Sequence, residues 1–137
     1  MKAIYQLKHL TLKQLSAIMQ NAQDYDNAFG YTIQKKSKIV ENFLLGFPQG
    51  FNITVVKMQG GYLFLHGYQN VKALTDFIDN DFCLKSQTVF KSLNGKSYEK
   101  LPQDKEDFLN YIKLTVDVIN GDLPQDMLDL LHDRLIY

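Results

Sequence analysis

The spacing of apolar positions along the chain predicts helices that alternate with strands. The first helix is predicted over 10–23, where Thr11 and Gln14 have the spacing of a capping box. Its core-facing stripe, at helical period, consists of Leu12, Leu15, Ile18 and Met19. A loop follows over 24–32, and a second helix is predicted over 34–46, with Gly46 as its stop signal and Pro48 just beyond it.

The middle of the chain predicts a β-hairpin that leads into a helix. The β-rich runs 51–58 and 62–66 flank a tight turn at Gln59-Gly60-Gly61. Gly67 breaks the second strand, and a third helix is predicted over 69–81. The residues of that helix expected to face the core are Val71, Leu74, Phe77 and Ile78.

The last third of the chain predicts a second hairpin and two more helices. The hairpin is expected over 84–102, because its Asn94-Gly95 pair is typical of a type I′ turn. A helix over 103–114 precedes 115–119, which is either a short strand or a continuation of that helix, and the last helix is predicted over 123–137. We therefore expect one α+β domain over 1–137, with about four to five helices packed on a small mixed or antiparallel sheet.

The charge balance narrows the classes of partner. Fifteen basic and fifteen acidic residues give a formal net charge of zero, which indicates neither a nucleic-acid nor a membrane surface. Arg134 is the sole arginine, which argues against direct reading of DNA bases. No apolar run approaches the roughly 20 residues needed to span a bilayer, and 1–14 has no signal-peptide core.

Cysteine usage points to a reducing compartment. Cys83 is the single cysteine, so an intrachain disulfide is excluded, and a cytoplasmic location is the simplest expectation. Because Cys83 lies in the alternating run 81–85, we predict a buried structural thiol rather than a nucleophile.

The segment His66-Gly67-Tyr68-Gln69-Asn70 is the first candidate for chemistry, because it joins a buried strand to the start of a helix. His66 could act as a general base, although no orienting carboxylate is evident in the sequence, and a hydrogen-bonded structural role is the favoured alternative. Its separation from His9 and His132 does not resemble metal-ligand spacing, so no metal site is predicted.

Three further groups have both a structural and a functional interpretation. Lys35, Lys36 and Lys38 form either a solvated helix face or a patch that contacts phosphate or nucleic acid. Arg134 either caps the last helix and pairs with a nearby aspartate, or belongs to a ligand site. The aromatic residues on the loop after the first helix are expected to anchor it rather than to stack on bases, and they are Tyr25, Phe29 and Tyr31.

Several segments occur in the order of motifs from a known family. A helix that ends in 39–50 (IVENFLLGFPQG) is followed by strands and then by 66–74 (HGYQNVKAL). Further along come 92–102 (SLNGKSYEKLP) and 130–136 (LLHDRLI). This ordered set resembles the N-terminal domain of GmrSD-type restriction endonucleases, which belongs to the ParB/sulfiredoxin-like superfamily. The resemblance covers most of the chain and implies that fold, and we expect no attached nuclease module.

The departures from the family pattern fall on its reactive residues. The family motif DGQQR supplies an Asp and an Arg that are associated with nucleotide binding and hydrolysis. In this chain His66 stands for that Asp, Tyr68 for the first Gln and Asn70 for the Arg, whereas Gly67 and Gln69 are retained.

The flanking motifs show a similar change. Asp26 and Asn27 stand where the family commonly has Gln and Arg, and Ile136 replaces an Asn, although Arg134 is kept. Each arginine lost from a phosphoryl-transfer site is expected to cost roughly 10²–10³-fold in rate. The resemblance therefore implies no catalytic residue and no cofactor, but a vestigial ligand-binding site formed by His66, Gly67, Gln69, Asn70 and Arg134.

The function that this pattern favours is a non-catalytic interaction or inhibitor protein on a degenerate nucleotide-hydrolase scaffold. By analogy with restriction systems, its partner would be a protein of a bacterial defence complex or another host enzyme, and its source a phage or mobile element. One alternative is a divergent nucleotide hydrolase that uses His66, Gln69 and Arg134. The other is a DNA-binding module of the ParB type.

Overall fold

A five-stranded mixed sheet separates two layers of helices. The computed structural model describes residues 4–26, 29–46 and 52–134, and they form one α+β domain, as predicted. Its strands are β1 (Ile4–Thr11), β2 (Ala22–Asp24), β3 (Thr54–Met58), β4 (Gly61–His66) and β5 (Lys113–Asn120). Its α-helices are α1 (Leu12–Met19), α2 (Ile33–Leu44), α3 (Tyr68–Ile78), α4 (Gln103–Tyr111) and α5 (Gln125–Arg134).

The strand order β1-β5-β3-β4-β2 places the long first strand at one edge of the sheet and the three-residue second strand at the other. The pairs β1/β5 and β3/β4 are antiparallel, whereas β3/β5 and β2/β4 are parallel. The hairpin predicted around Gln59-Gly60-Gly61 is confirmed, with Met58 opposite Gly61.

The two faces of the sheet carry separate cores. Helices α1, α2, α3 and α4 cover one face, and the largest side chains fully buried there include Phe43, Phe64 and Phe77. Helix α5 covers part of the other face with a smaller cluster, formed by Val56, Leu65, Ile119, Leu123 and Leu128. Among the described helices, none combines the length and the apolar character needed to cross a membrane.

Helix α1 begins and helix α2 ends at the residues that the sequence predicts. Thr11 and Gln14 make both hydrogen bonds of the predicted capping box at the start of α1. Helix α2 ends as expected, because Gly46 takes the left-handed φ of +81° just after the cap residue Leu45. Pro48 lies outside the described residues.

Several sequence predictions are wrong, and strand β1 was not predicted. The residues 22–24 belong to β2 and not to α1, because the helix ends at Met19. No hairpin forms around Asn94-Gly95, which makes a turn closed by Lys96 N–H donating to the Leu93 carbonyl at 3.0 Å. With Asn94 at φ −58° and ψ 132° and Gly95 at φ +84°, this turn has type II geometry, which does not match the twist of a two-residue hairpin.

Cys83 is exposed rather than buried. Its neighbours Phe82 and Leu84 both point into the helical core, so the same alternation that suggested burial directs the thiol outward. The prediction assigned Cys83 to the wrong face of this alternating run.

A buried carboxylate replaces strand pairing as the anchor of the segment 84–102. Glu41 of α2 accepts hydrogen bonds from the backbone N–H groups of Thr88, Val89 and Phe90 at 2.9, 3.0 and 3.2 Å. The Thr88 hydroxyl donates a fourth bond at 3.1 Å. Burial acts to raise the pKa of Glu41, but the bonds from Val89, Thr88 and Phe90 outweigh it, and the net pKa lies below the ordinary value of 4.5.

We expect Glu41→Gln to destabilise the fold by about 2 kcal/mol at pH 7, because an amide cannot replace a carboxylate that accepts four bonds. Since the pKa is lower in the folded protein, the stabilisation by the wild-type carboxylate is present above about pH 4.5 and is lost as the pH falls through the folded-state pKa. Urea unfolding of both proteins from neutral pH downward measures this. A gap between them that widens on acidification would contradict the assignment.

Candidate functional site

The candidate site lies at the turn between the end of β4 and the start of α3. His66 ends the strand, Gly67 follows in the left-handed conformation with φ +87°, and Tyr68 opens the helix. A Cβ atom on Gly67 would lie 2.5 Å from the carbonyl oxygen of Asn52 and 3.2 Å from the Cα of Ile53. The backbone at Gly67 therefore excludes any other residue for steric reasons that need no ligand.

A cleft of about 190 Å³ opens beside this turn, at the N-terminus of α3. Gly67 leaves the helix without a side-chain cap, so the positive end of its dipole faces this region. The described residues that line the cleft are Asp24, Asp26, Tyr31, Gly67, Tyr68, Gln69 and Asn70. Two predicted ligand-binding residues, Gln69 and Asn70, thus meet Gly67 here.

The polar lining of the cleft is rich in acceptors. Asp24 and Asp26 contribute carboxylates, and none of the described lining residues is cationic. Beside them the side-chain oxygen Oε1 of Gln69 is buried without a hydrogen-bond partner. The two carboxylates favour a group that donates hydrogen bonds or carries positive charge.

His66 does not line the cleft, because its ring lies against α5. The imidazole Nε2–H of His66 donates to the carbonyl oxygen of His132 at 3.1 Å, since a carbonyl can only accept. The two imidazole rings stack with centroids 4.9 Å apart and planes 13° from parallel. The structure thus gives His66 the hydrogen-bonded structural contacts that the sequence favoured over a catalytic role.

His132 is the centre of a clasp between α5 and the chain after β2, which we call the α5 clasp and define by Tyr25, Asp26, His66, Asp129 and His132. The Tyr25 ring stacks on His132 with centroids 4.4 Å apart, and the Tyr25 hydroxyl donates to Asp129. On the same imidazole, Nε2 lies 2.9 Å from Oδ1 of Asp26. The hydrogen bond to Asp129 raises the pKa of Tyr25 and lowers that of Asp129.

Neither the α5 clasp nor the position of Asp24 in the cleft lining was predicted from the sequence. His66 and His132 are separated by 66 positions, and no local pattern marks them as neighbours. Asp26 was noted only as a departure from the family pattern, yet it both lines the cleft and binds His132. Tyr25 and His132 each have an acidic neighbour in the sequence, but this pattern is too common to be diagnostic.

None of the three predicted lysines lines the cleft, although Lys35 contacts its residue Tyr31. Lys36 binds Asp76 of α3, with Nζ and Oδ2 separated by 2.7 Å, so its charge is largely neutralised within the fold. The ammonium of Lys35 lies 3.9 Å from the centre of the Tyr31 ring, and Lys38 is exposed. Arg134 is the last described residue of α5, but its side chain and the whole of Asn27 and Ile136 lie outside the described part of the chain.

A second, broader groove of about 680 Å³ runs between β2 and α5. Met58, Leu63 and Leu128 give it an apolar floor, while Gln23 and Gln125 stand at its rim. Asp24 borders both depressions. Among the residues that the structure describes, no three His, Cys, Asp or Glu side chains are arranged to hold a metal ion.

Comparison with known proteins adds no relative: no family model, curated protein or solved structure matches this chain.

Replacement of Gly67 tests the steric argument. We expect Gly67→Ala to lower the free energy of unfolding by about 2–4 kcal/mol, because the new methyl group clashes with Asn52 and the left-handed φ strains an alanine. Gly30→Ala is the matched control, since a Cβ there meets nothing within 4 Å. Chemical denaturation measures both, and an equal effect of the two changes would rule out the close approach.

Proposed function

We propose that this chain is a non-catalytic interaction protein whose cleft beside Gly67 receives a cationic side chain of a protein partner. The observation that carries the proposal is the acceptor-rich lining of that cleft, in which two carboxylates stand at a helix N-terminus. In a nucleotide-binding site this helix end would be free to bind phosphate. Here Asp24 and Asp26 supply the negative charge themselves.

The position of His66 supports the same proposal. A general base needs to reach the substrate within hydrogen-bond distance, directly or through one water. The Nε2–H of His66 is engaged by the His132 carbonyl, and its ring is covered by the ring of His132. A hydrolase that used His66 would have to open the α5 clasp.

The nucleic-acid alternative loses part of its support. One of the three lysines proposed to contact phosphate, Lys36, is paired with Asp76, which also lies 3.4 Å from Lys72. Only Lys35 and Lys38 are left to form a basic patch on that helix. Two lysines give a weak, strongly salt-dependent contribution to nucleic-acid affinity.

The identity of the partner rests on the resemblance alone. If the chain is a degenerate relative of the GmrSD-type N-terminal domain, we propose that it acts in the cytoplasm as an inhibitor of a bacterial defence complex or another host protein, encoded by a phage or mobile element. The lone exposed thiol of Cys83 suits a reducing compartment.

We expect the purified protein to release no phosphate from ATP, GTP or CTP with Mg²⁺ above a protein-free blank, because the cleft repels the triphosphate. A coupled phosphate-release assay measures the rate, and calorimetry measures binding. Turnover that disappears in the His66→Ala variant would overturn the non-catalytic assignment.

The partner itself is tested by affinity capture from bacterial lysate. We expect the wild-type protein to retain a stoichiometric partner that is lost on Asp24→Lys, because the new ammonium would repel the incoming cation. Asp81→Lys is the control, since Asp81 is an exposed carboxylate at the opposite end of α3. Absence of any stoichiometric partner, or equal retention by all three proteins, would contradict the proposal.

A further inference from the structure

The edge strand β1 presents an unusually open surface. It has eight residues, and among the described strands β5 is its one neighbour, so its outer backbone edge has no partner strand. The opposite edge is formed by β2, which has three residues. A long, uncovered edge is a template for pairing with another strand, and proteins usually shorten, charge or cover such edges.

Two large side chains of β1 are also exposed to solvent. Tyr5 is 59% exposed and Leu7 is 58% exposed. In the register with β5 they lie opposite Ile119 and Asp117, on the sheet face that carries α5. The cluster under α5 reaches β3, β4 and Ile119 of β5, but it includes no described residue of β1.

We propose that β1 pairs antiparallel with β1 of a second copy of this chain, with Leu7 on the two-fold axis. A dyad perpendicular to a continuous sheet places one residue opposite itself, so that the faces of the two sheets match. Centres at Leu7 and Lys8 each pair seven of the eight strand residues, Ile4–Leu10 or Tyr5–Thr11. Other centres pair fewer.

Charge decides between these two registers. A centre at Lys8 opposes two ammonium groups directly, which is destabilising across a strand pair. A centre at Leu7 opposes Leu7 to itself and sets Lys8 against Gln6 of the second copy, whose amide oxygen can accept a hydrogen bond. It also sets Tyr5 against His9 of the second copy, an aromatic pair on the open face of the sheet.

The expected dimer is weak and dynamic. One strand pair and a few side chains bury less than the roughly 800 Å² per partner of a stable interface, so the complex belongs to the transient class. Its dissociation constant should therefore fall within about 1 µM to 1 mM.

Sedimentation equilibrium over about 1 µM to 1 mM protein tests the proposal. We expect the wild type to dimerise reversibly and its β1 amides to exchange hydrogen more slowly as the concentration rises. Leu7→Lys should make the protein monomeric, because it opposes two ammonium groups on the dyad. Val89→Lys is the matched control, since Val89 is 59% exposed but lies on the segment held by Glu41.

A charge swap at Gln6 tests the register and does not depend on Leu7→Lys. By symmetry each substitution at Gln6 acts twice in the dimer, against both copies of Lys8. We expect Gln6→Glu to tighten the dimer and Gln6→Lys to weaken it, each by roughly 2- to 30-fold. A wild type that stays monomeric throughout, or a dimer indifferent to both Gln6 changes, would overturn the proposal.

Discussion

The close approach of the Gly67 backbone to Asn52 and Ile53 fixes the geometry of the centre of this molecule. Because the chain turns there with φ +87°, β4 stops abruptly and α3 starts at once, above the helical core. The same turn leaves the N-terminus of α3 without a side-chain cap and creates the cleft beside it. A bulkier residue would force the two strands apart, so the shape of the site and the packing of the sheet share one constraint.

The cleft combines an uncapped helix N-terminus with two acidic residues, Asp24 and Asp26. The uncapped N-terminus of α3 would attract an anion, but Asp24 and Asp26 lie beside it and carry negative charge. Asp26 is in turn held by His132, whose ring stacks between Tyr25 and His66. Asp26 therefore takes part both in the lining of the cleft and in the docking of α5.

Elements with strong local signals could be predicted from the sequence, and those defined by distant partners could not. The capping box of α1, the stop signal at Gly46 and the hairpin at Gln59–Gly61 depend on neighbouring residues, and all are present. Strand β1 carries exposed apolar residues on an edge, so its pattern lacks the clean alternation of a half-buried strand. The prediction at Asn94-Gly95 was wrong because part of that segment is held by distant residues of α2, where Glu41 bonds Thr88 and Phe90. The α5 clasp depends on contacts of the same long range.

The residues that this chain shares with the GmrSD-type pattern have sufficient structural reasons of their own. Leu44, Ala73 and Leu74 are buried, and Gly46 and Gly67 adopt positive φ angles that other residues rarely take. Any chain that joins a helix, a hairpin and a helix in this manner would need similar residues. The shared framework positions therefore follow from the architecture and do not inform on chemistry. The informative positions are the polar ones, and there His66 faces α5 while Asp24 and Asp26 line the cleft.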